Sequence, residues 1–329
     1  MRGLSSLGLA LLISGCSRPV ATDSSGLDSV DDGLDTGAID AFPDAPEPPE
    51  GGMQIATPTY RVEPYSEQTF CLFGSFSGDG PTAISYAAMY EDEVFGHHIQ
   101  FNALREDADL DVEDGEVISC KPSDNDMGGS ATTQLLSLTH AVPGGGEMIL
   151  PEGYAVQAAP GTRWVLEYHI INTSARRVKS QGIVNLGFID ADEVDTWVSA
   201  YNFNAVQFNL PAGEETTIEV DCSWDSESEV LALAGHMHYS GRRFKVESIL
   251  PDGSSETIYE LDPWNPDWMY SPVVTNFEGG MTVPAGTVFR TTCTYFNSED
   301  YDMDFPVEMC SASGLFGPSN EPYACDVEL

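Results

Sequence analysis

The sequence predicts an all-β protein built from antiparallel sandwiches, on three observations. Short runs rich in Val, Ile, Thr and aromatic residues follow one another from about Thr57 onward. Proline–glycine turns separate them at regular intervals. No long segment repeats its apolar residues with helical spacing.

In chain order the predicted strands include Thr69–Phe76, Arg163–Ile171, Gln181–Ile189, Val198–Leu210, Thr216–Cys222, Val230–His238 and Thr287–Phe296. The turns are Pro151-Glu152-Gly153, Pro160-Gly161, Pro211-Ala212-Gly213 and Pro284-Ala285-Gly286. Three of them open strands that carry a marked residue: Pro160 leads to His169, Pro211 to Cys222 and Pro284 to Cys293. This is the rhythm of antiparallel sandwiches. Thirty-one glycines and 21 prolines in 329 residues suit such a loop-rich protein. The polar stretch Asp190–Thr196 divides the folded part into two expected domains, 56–195 and 196–329.

Residues 1–16 read MRGLSSLGLALLISGC. One cation at Arg2, an apolar run from Leu7 to Ile13 and small residues before Cys16 predict a bacterial lipoprotein signal. Cleavage would leave Cys16 lipidated, a stable anchor when several acyl chains share one residue. Ser17, in place of an acid, favours the outer membrane, so the expected location is the bacterial cell envelope. Residues 17–55 are acidic, proline-rich and nearly free of aromatics, which predicts a disordered tether. Beyond the signal no apolar run is long enough to span a bilayer, so membrane contact is expected through the lipid alone. A net charge of −40 repels phosphate backbones and argues against nucleic acid as a partner.

Seven cysteines become six once Cys16 is set aside: Cys71, Cys120, Cys222, Cys293, Cys310 and Cys325. An even set in an exported chain predicts three disulfides, for which 15 pairings exist.

Five of the six histidines fall into compact groups. His97-His98 is a vicinal pair, His169 lies in the strand WVLEYHIIN, and His236 and His238 form GHMH. Residues i and i+2 of a strand share a face, so His236 and His238 can grip one ion while Met237 points away. Adjacent histidines normally point apart. His97 and His98 can share an ion only where the strand distorts, and Gly96 makes distortion cheap. Neutral imidazoles suit copper, zinc, iron or nickel, and a thioether such as that of Met309 adds a preference for Cu(I). His140, in a turn-like stretch, is assigned to structure. Each group taken alone is more often structural. Their concentration in a His-poor chain is what singles them out.

In order along roughly 60–329, these residues resemble the copper type II, ascorbate-dependent monooxygenases, which include dopamine β-hydroxylase and the peptidylglycine α-hydroxylating enzyme. EQTFC at Cys71 is similar to a first-domain strand of the family, and His97-His98 follows at a family-like interval. LEYHIIN at His169 resembles the LEVHY-type strand, and GHMHYSGRRFKV resembles the HTH-x-x-GR segment. TTCTYFNSED is similar to the CTYN-type segment, and Met309-Cys310 completes an EMC motif.

The resemblance implies two jelly-roll-like domains with one copper each. His97, His98 and His169 would bind the first. His236, His238 and Met309 would bind the second and carry catalysis. It also implies disulfides Cys71–Cys120, Cys222–Cys325 and Cys293–Cys310. The implied activity is hydroxylation of an sp3 C–H bond of a small organic substrate. One atom of O2 enters the substrate and the other leaves as water, with electrons from ascorbate or a similar reductant. Ala234 stands where the peptide-hydroxylating branch has an arginine, and the closer local match is the dopamine-hydroxylase-like branch; Ser311 and Ser313 depart from the Asn and Tyr typical of the family. A non-catalytic copper-binding or electron-handling surface lipoprotein is the alternative expectation.

Overall fold

Strands account for nearly all regular structure in the computed structural model, which describes residues 38–104, 108, 110–120, 132–140, 146–269, 272–305 and 307–328. Of residues 132–140 and 146 it describes the backbone alone. The described residues contain no α-helix, only short 3-10 turns at Ala191–Glu193 and Pro266–Met269. None of their helices is long and apolar enough to cross a membrane. The all-β, antiparallel reading therefore holds.

The first half is a sandwich. One sheet orders Met53–Ala56, Ile183–Ile189, Thr82–Tyr90 and Tyr154–Ala158. The other orders Val117–Ser119, Ser66–Ser75, Arg163–Asn172, Gly96–Leu104 and Thr132–His140. Period-2 alternation decides which face each side chain takes. Leu166, Tyr168 and Ile170 join Phe70, Leu72, Ile99 and Phe101 in the core against Ile84, Met89, Val184 and Leu186. The opposite face of the same sheet carries Val165, Phe73 and Cys71 in a small satellite cluster. Glu167 and His169 follow on that outer face.

The second half repeats the plan. Thr196–Val206, Cys310–Gly317, Ser228–His236 and Val274–Val283 form one sheet, with Tyr323–Glu328 pairing to the first of them. Glu215–Trp224, Thr287–Phe296, Gly241–Ile249 and Ser255–Leu261 form the other. Ile218, Val220, Cys222 and Trp224 alternate inward along one strand and meet Phe203, Leu233, Phe244 and Phe289.

The halves are not separated by a free linker. Tyr154–Ala158 pairs in parallel with the start of Thr196–Val206, so one sheet runs through both. The Gly153 carbonyl accepts hydrogen bonds from the amides of Asp195 at 2.8 Å and Thr196 at 3.0 Å. Val198, Ala200, Ala232 and Leu315 belong to the first core. The polar stretch 190–195 is thus a crossover inside a shared sheet.

The expected tether needs correction at its C-terminal end. Ile39–Ala41 pairs in parallel with Val178–Ser180, and Met53–Ala56 pairs with Ile183–Leu186. Ala41 and Ile55 are buried, and the Ser180 hydroxyl donates to the Ala41 carbonyl at 2.9 Å. A few apolar residues suffice here because exposed sheet edges supply backbone partners. Averaged composition over 17–55 hides that. Cys16 and residues 17–37 lie outside the described residues.

The three disulfides are Cys71–Cys120, Cys222–Cys325 and Cys293–Cys310. The last two cross between the sheets of the second sandwich. Cys222–Cys325 closes a separation of 103 residues. Replacing both of its cysteines by alanine should lower stability by about 2–5 kcal/mol in denaturant unfolding. An unchanged midpoint would contradict its role as a staple.

Candidate metal centre

His97, His98 and His169 converge on the outer face of the first sandwich. His169 lies directly opposite His98 across the ladder, and the next pair is Ile170 with Gly96. One strand advances one residue while the other advances two. His97 is the extra residue of a β-bulge, the device that re-aims a side chain without ending the strand. Alternation alone would have sent His97 and His98 to opposite faces. Glycine is required at 96 by close approach: a Cβ there would lie 2.7 Å from the Asp92 carbonyl oxygen and 2.9 Å from the Glu91 Cβ.

A ring nitrogen from each of the three histidines can be chosen so that all lie within 4.8 Å of one another. The Nδ1 atoms of His97 and His98 are 3.1 Å apart. That is roughly the spacing of two donors on one ion with 2.0–2.1 Å bonds at near a right angle. Two of the rings also face carboxylates. His98 Nε2 donates to Glu167 at 3.1 Å and His169 Nε2 to Glu67 at 3.2 Å. Burial, reinforced by the neighbouring imidazoles, lowers His97 to about 4 and His169 to about 3. Both rings are neutral at pH 7, the form that binds a metal.

The second group sits where Ser228–His236 leaves its sheet. The His236 and His238 rings are 4.8 Å apart at 80°, and Met237 points the other way into the second core. Gly235 permits this, since a Cβ there would fall 2.3 Å from the Phe244 ring. The segment 307–309 holds His238 from beside it. The Val307 carbonyl lies 2.8 Å from His238 Nδ1, and the Glu308 carboxylate accepts from the amides of His238 at 3.1 Å and Ser240 at 2.7 Å. A proton on Nδ1, donated to that carbonyl, leaves the lone pair on Nε2. Met309 follows directly and is buried, its carbonyl accepting from the Tyr295 hydroxyl at 2.6 Å. Cys293–Cys310 anchors the next residue. His236 lies opposite Ser311, and Ala234 opposite Ser313.

The residues fit metal ions. His169 Nδ1 and both ring nitrogens of His236 are buried without a hydrogen-bond partner. An unsatisfied buried polar atom costs about 1–3 kcal/mol, and a coordinated ion would remove that penalty. Burial pushes both His236 and His238 down, His236 most strongly, so these rings also stay neutral. Cys71, Cys120 and Glu167 cluster too, but both sulfurs are committed to the disulfide. The His140 backbone pairs with Ile99, and its side chain lies outside the described residues.

Sequence reasoning passed over Glu67, Glu167 and Glu308. For Glu167 a signal existed, two residues before His169 and so on the same strand face. Glu67 is 102 residues from its partner and offered none.

No family model matches the chain, and no curated protein does. Among solved structures, the infectious bursal disease virus VP2 subviral particle is similar over 85% of this chain and 74% of its own, at 10% identity and a TM-score of 0.22. The exported protein XepA of PBSX is similar over 82% and 88%, at 8% identity and a TM-score of 0.21. At these scores the alignments bear on neither fold nor function.

Gly96→Ala should destabilise the protein by about 1–3 kcal/mol, as overpacking does, and disperse the three imidazoles. Denaturant unfolding and metal uptake would read this. Loss confined to one of two sites is expected, and full uptake at wild-type stability would contradict the bulge argument.

Proposed function

We propose that the chain is a copper-dependent monooxygenase that hydroxylates an sp3 C–H bond of a small organic substrate. It would use O2 and a one-electron reductant such as ascorbate. The observation that carries this reading is the pair of largely buried imidazole groups, with partnerless ring nitrogens in both. Two such groups on two sandwiches match the paired centres that the sequence motifs imply.

His97, His98 and His169 would hold one copper, and His236, His238 and Met309 the other. When bound, copper supplies one-electron redox chemistry with O2. The protein's own residues prepare the sites. The bulge at His97 turns adjacent rings to one side. The Val307 carbonyl fixes the His238 tautomer, and the Glu308 carboxylate holds the turn after it. The Met309 thioether favours Cu(I). His236 and His238 are each 3% exposed, so bulk water is excluded from their rings.

The row beside His236 bears on substrate class. Asn204, Ser311 and His236 are consecutive neighbours across the sheet, as are Asn202, Ser313 and Ala234. The Ser311 hydroxyl donates to Asn202 Oδ1 at 2.8 Å. This row has hydroxyls and amides but no cation, so it offers no positive charge to pair with a substrate carboxylate. A neutral substrate suits it better than a peptidylglycine. The proposal includes a lipid anchor at Cys16 on the bacterial cell envelope.

Metal analysis of the purified chain should find two coppers. His97→Ala should remove one of them, and a chain without stoichiometric copper would overturn the reading. Met309→Ala should reduce ascorbate-dependent oxygen uptake, coupled to product, to background while sparing the first copper. Undiminished turnover in that variant would remove Met309 from the site. Wild-type protein that binds two coppers yet never couples oxygen uptake to product would favour a copper-binding lipoprotein instead.

A further inference from the structure

We propose that Glu67 and Glu167 are positioning residues of the first centre, which lock its imidazoles in one tautomer and tune it toward a divalent ion. The inference rests on the metal-centre reading above and goes beyond its ligand set.

Each carboxylate approaches the Nε2 edge of an imidazole. Glu167 Oε1 is 3.1 Å from His98 Nε2, and Glu67 Oε2 is 3.2 Å from His169 Nε2. A carboxylate only accepts, so each Nε2 carries the proton and each Nδ1 keeps its lone pair. His98 Nδ1 then accepts from His97 Nδ1 at 3.1 Å, a contact an ion would replace, and His169 Nδ1 is buried without a partner. Without the carboxylates either ring could take the other tautomer and turn a proton toward the ion.

Glu167 is itself held. It stands across the ladder from Cys71 on one side and Gln100 on the other. A carboxylate oxygen of Glu167 and the sulfurs of Cys71 and Cys120 lie within 4.8 Å of one another. The disulfide therefore backs the carboxylate that orients His98. Glu167 is 17% exposed and Glu67 39%, so Glu167 acts through less solvent and its effect is the larger. Imidazoles bonded to carboxylates are stronger donors, and two negative charges behind the ligands attract a divalent ion more than a monovalent one. In a redox copper centre they would favour Cu(II) and lower the reduction potential. That differs from a thioether centre, which favours Cu(I).

The test uses the full chain carrying His236→Ala, so that the first centre reports alone. Glu167→Gln keeps an acceptor of the same shape and removes the charge, whereas Glu167→Ala removes both. Cu(II) and Cu(I) affinities are measured separately by competition with chelators. Glu167→Gln should weaken Cu(II) binding about 10–100-fold, as loss of an outer partner does, and leave Cu(I) binding near the parent value. Glu67→Gln should act in the same direction by less, and Glu167→Ala should weaken both ions. Equal losses for both ions in both glutamine variants, or no loss in either, would overturn the inference and leave the metal site standing. A parent chain that binds no copper would overturn the metal-centre reading itself, and this inference with it.

Discussion

One extra residue in one strand sets the chemistry of the first sandwich. A vicinal pair of histidines on a regular strand faces two ways and cannot share an ion. The ladder slips between His169–His98 and Ile170–Gly96, and His97 becomes the residue that slips. Its ring turns to the side already occupied by His98 and His169. The same slip explains the glycine, because the bulged chain runs against Asp92 and Glu91 with no room for a side chain. The third imidazole of the first cluster depends on this local irregularity, whereas His98 and His169, with their carboxylate partners, face each other by regular pairing.

The second group is arranged by different means. His236 and His238 share a face through ordinary strand spacing, although His238 lies just past the strand end. A segment distant in sequence, 307–310, holds His238 with a carbonyl and a carboxylate and is itself anchored by a disulfide. The strand that follows, Cys310–Gly317, pairs on both sides within the sheet shared by the two sandwiches. The placement of Met309 is therefore coupled to the sheet, to the core disulfide and to the turn at His238. The parallel pairing of Tyr154–Ala158 with Thr196–Val206 binds that sheet to the first sandwich.

Much of this was legible along the chain. The strand runs and proline–glycine turns gave the all-β class, since both signals are local. The GHMH spacing gave one shared face, with Met237 in the core. The disulfide pairing was implied by motif resemblance, because six cysteines alone leave it open. Other features depend on partners far away. The bulge is a property of two strands together, and only Gly96 hinted at it. Glu167 meets a histidine 69 residues away. The strands at 39–41 and 53–56 form because sheet edges wait for them, which their own acidic, proline-rich surroundings do not disclose.

The central claim is that two separate copper sites exist, one of imidazoles alone and one that adds a thioether. X-ray absorption at the copper edge of the reduced, copper-loaded chain tests it most directly. The account predicts nitrogen scattering from both coppers and one sulfur scatterer for every two metal ions. Nitrogen-only scattering at full loading, or a single copper shared by all five imidazoles, would contradict it.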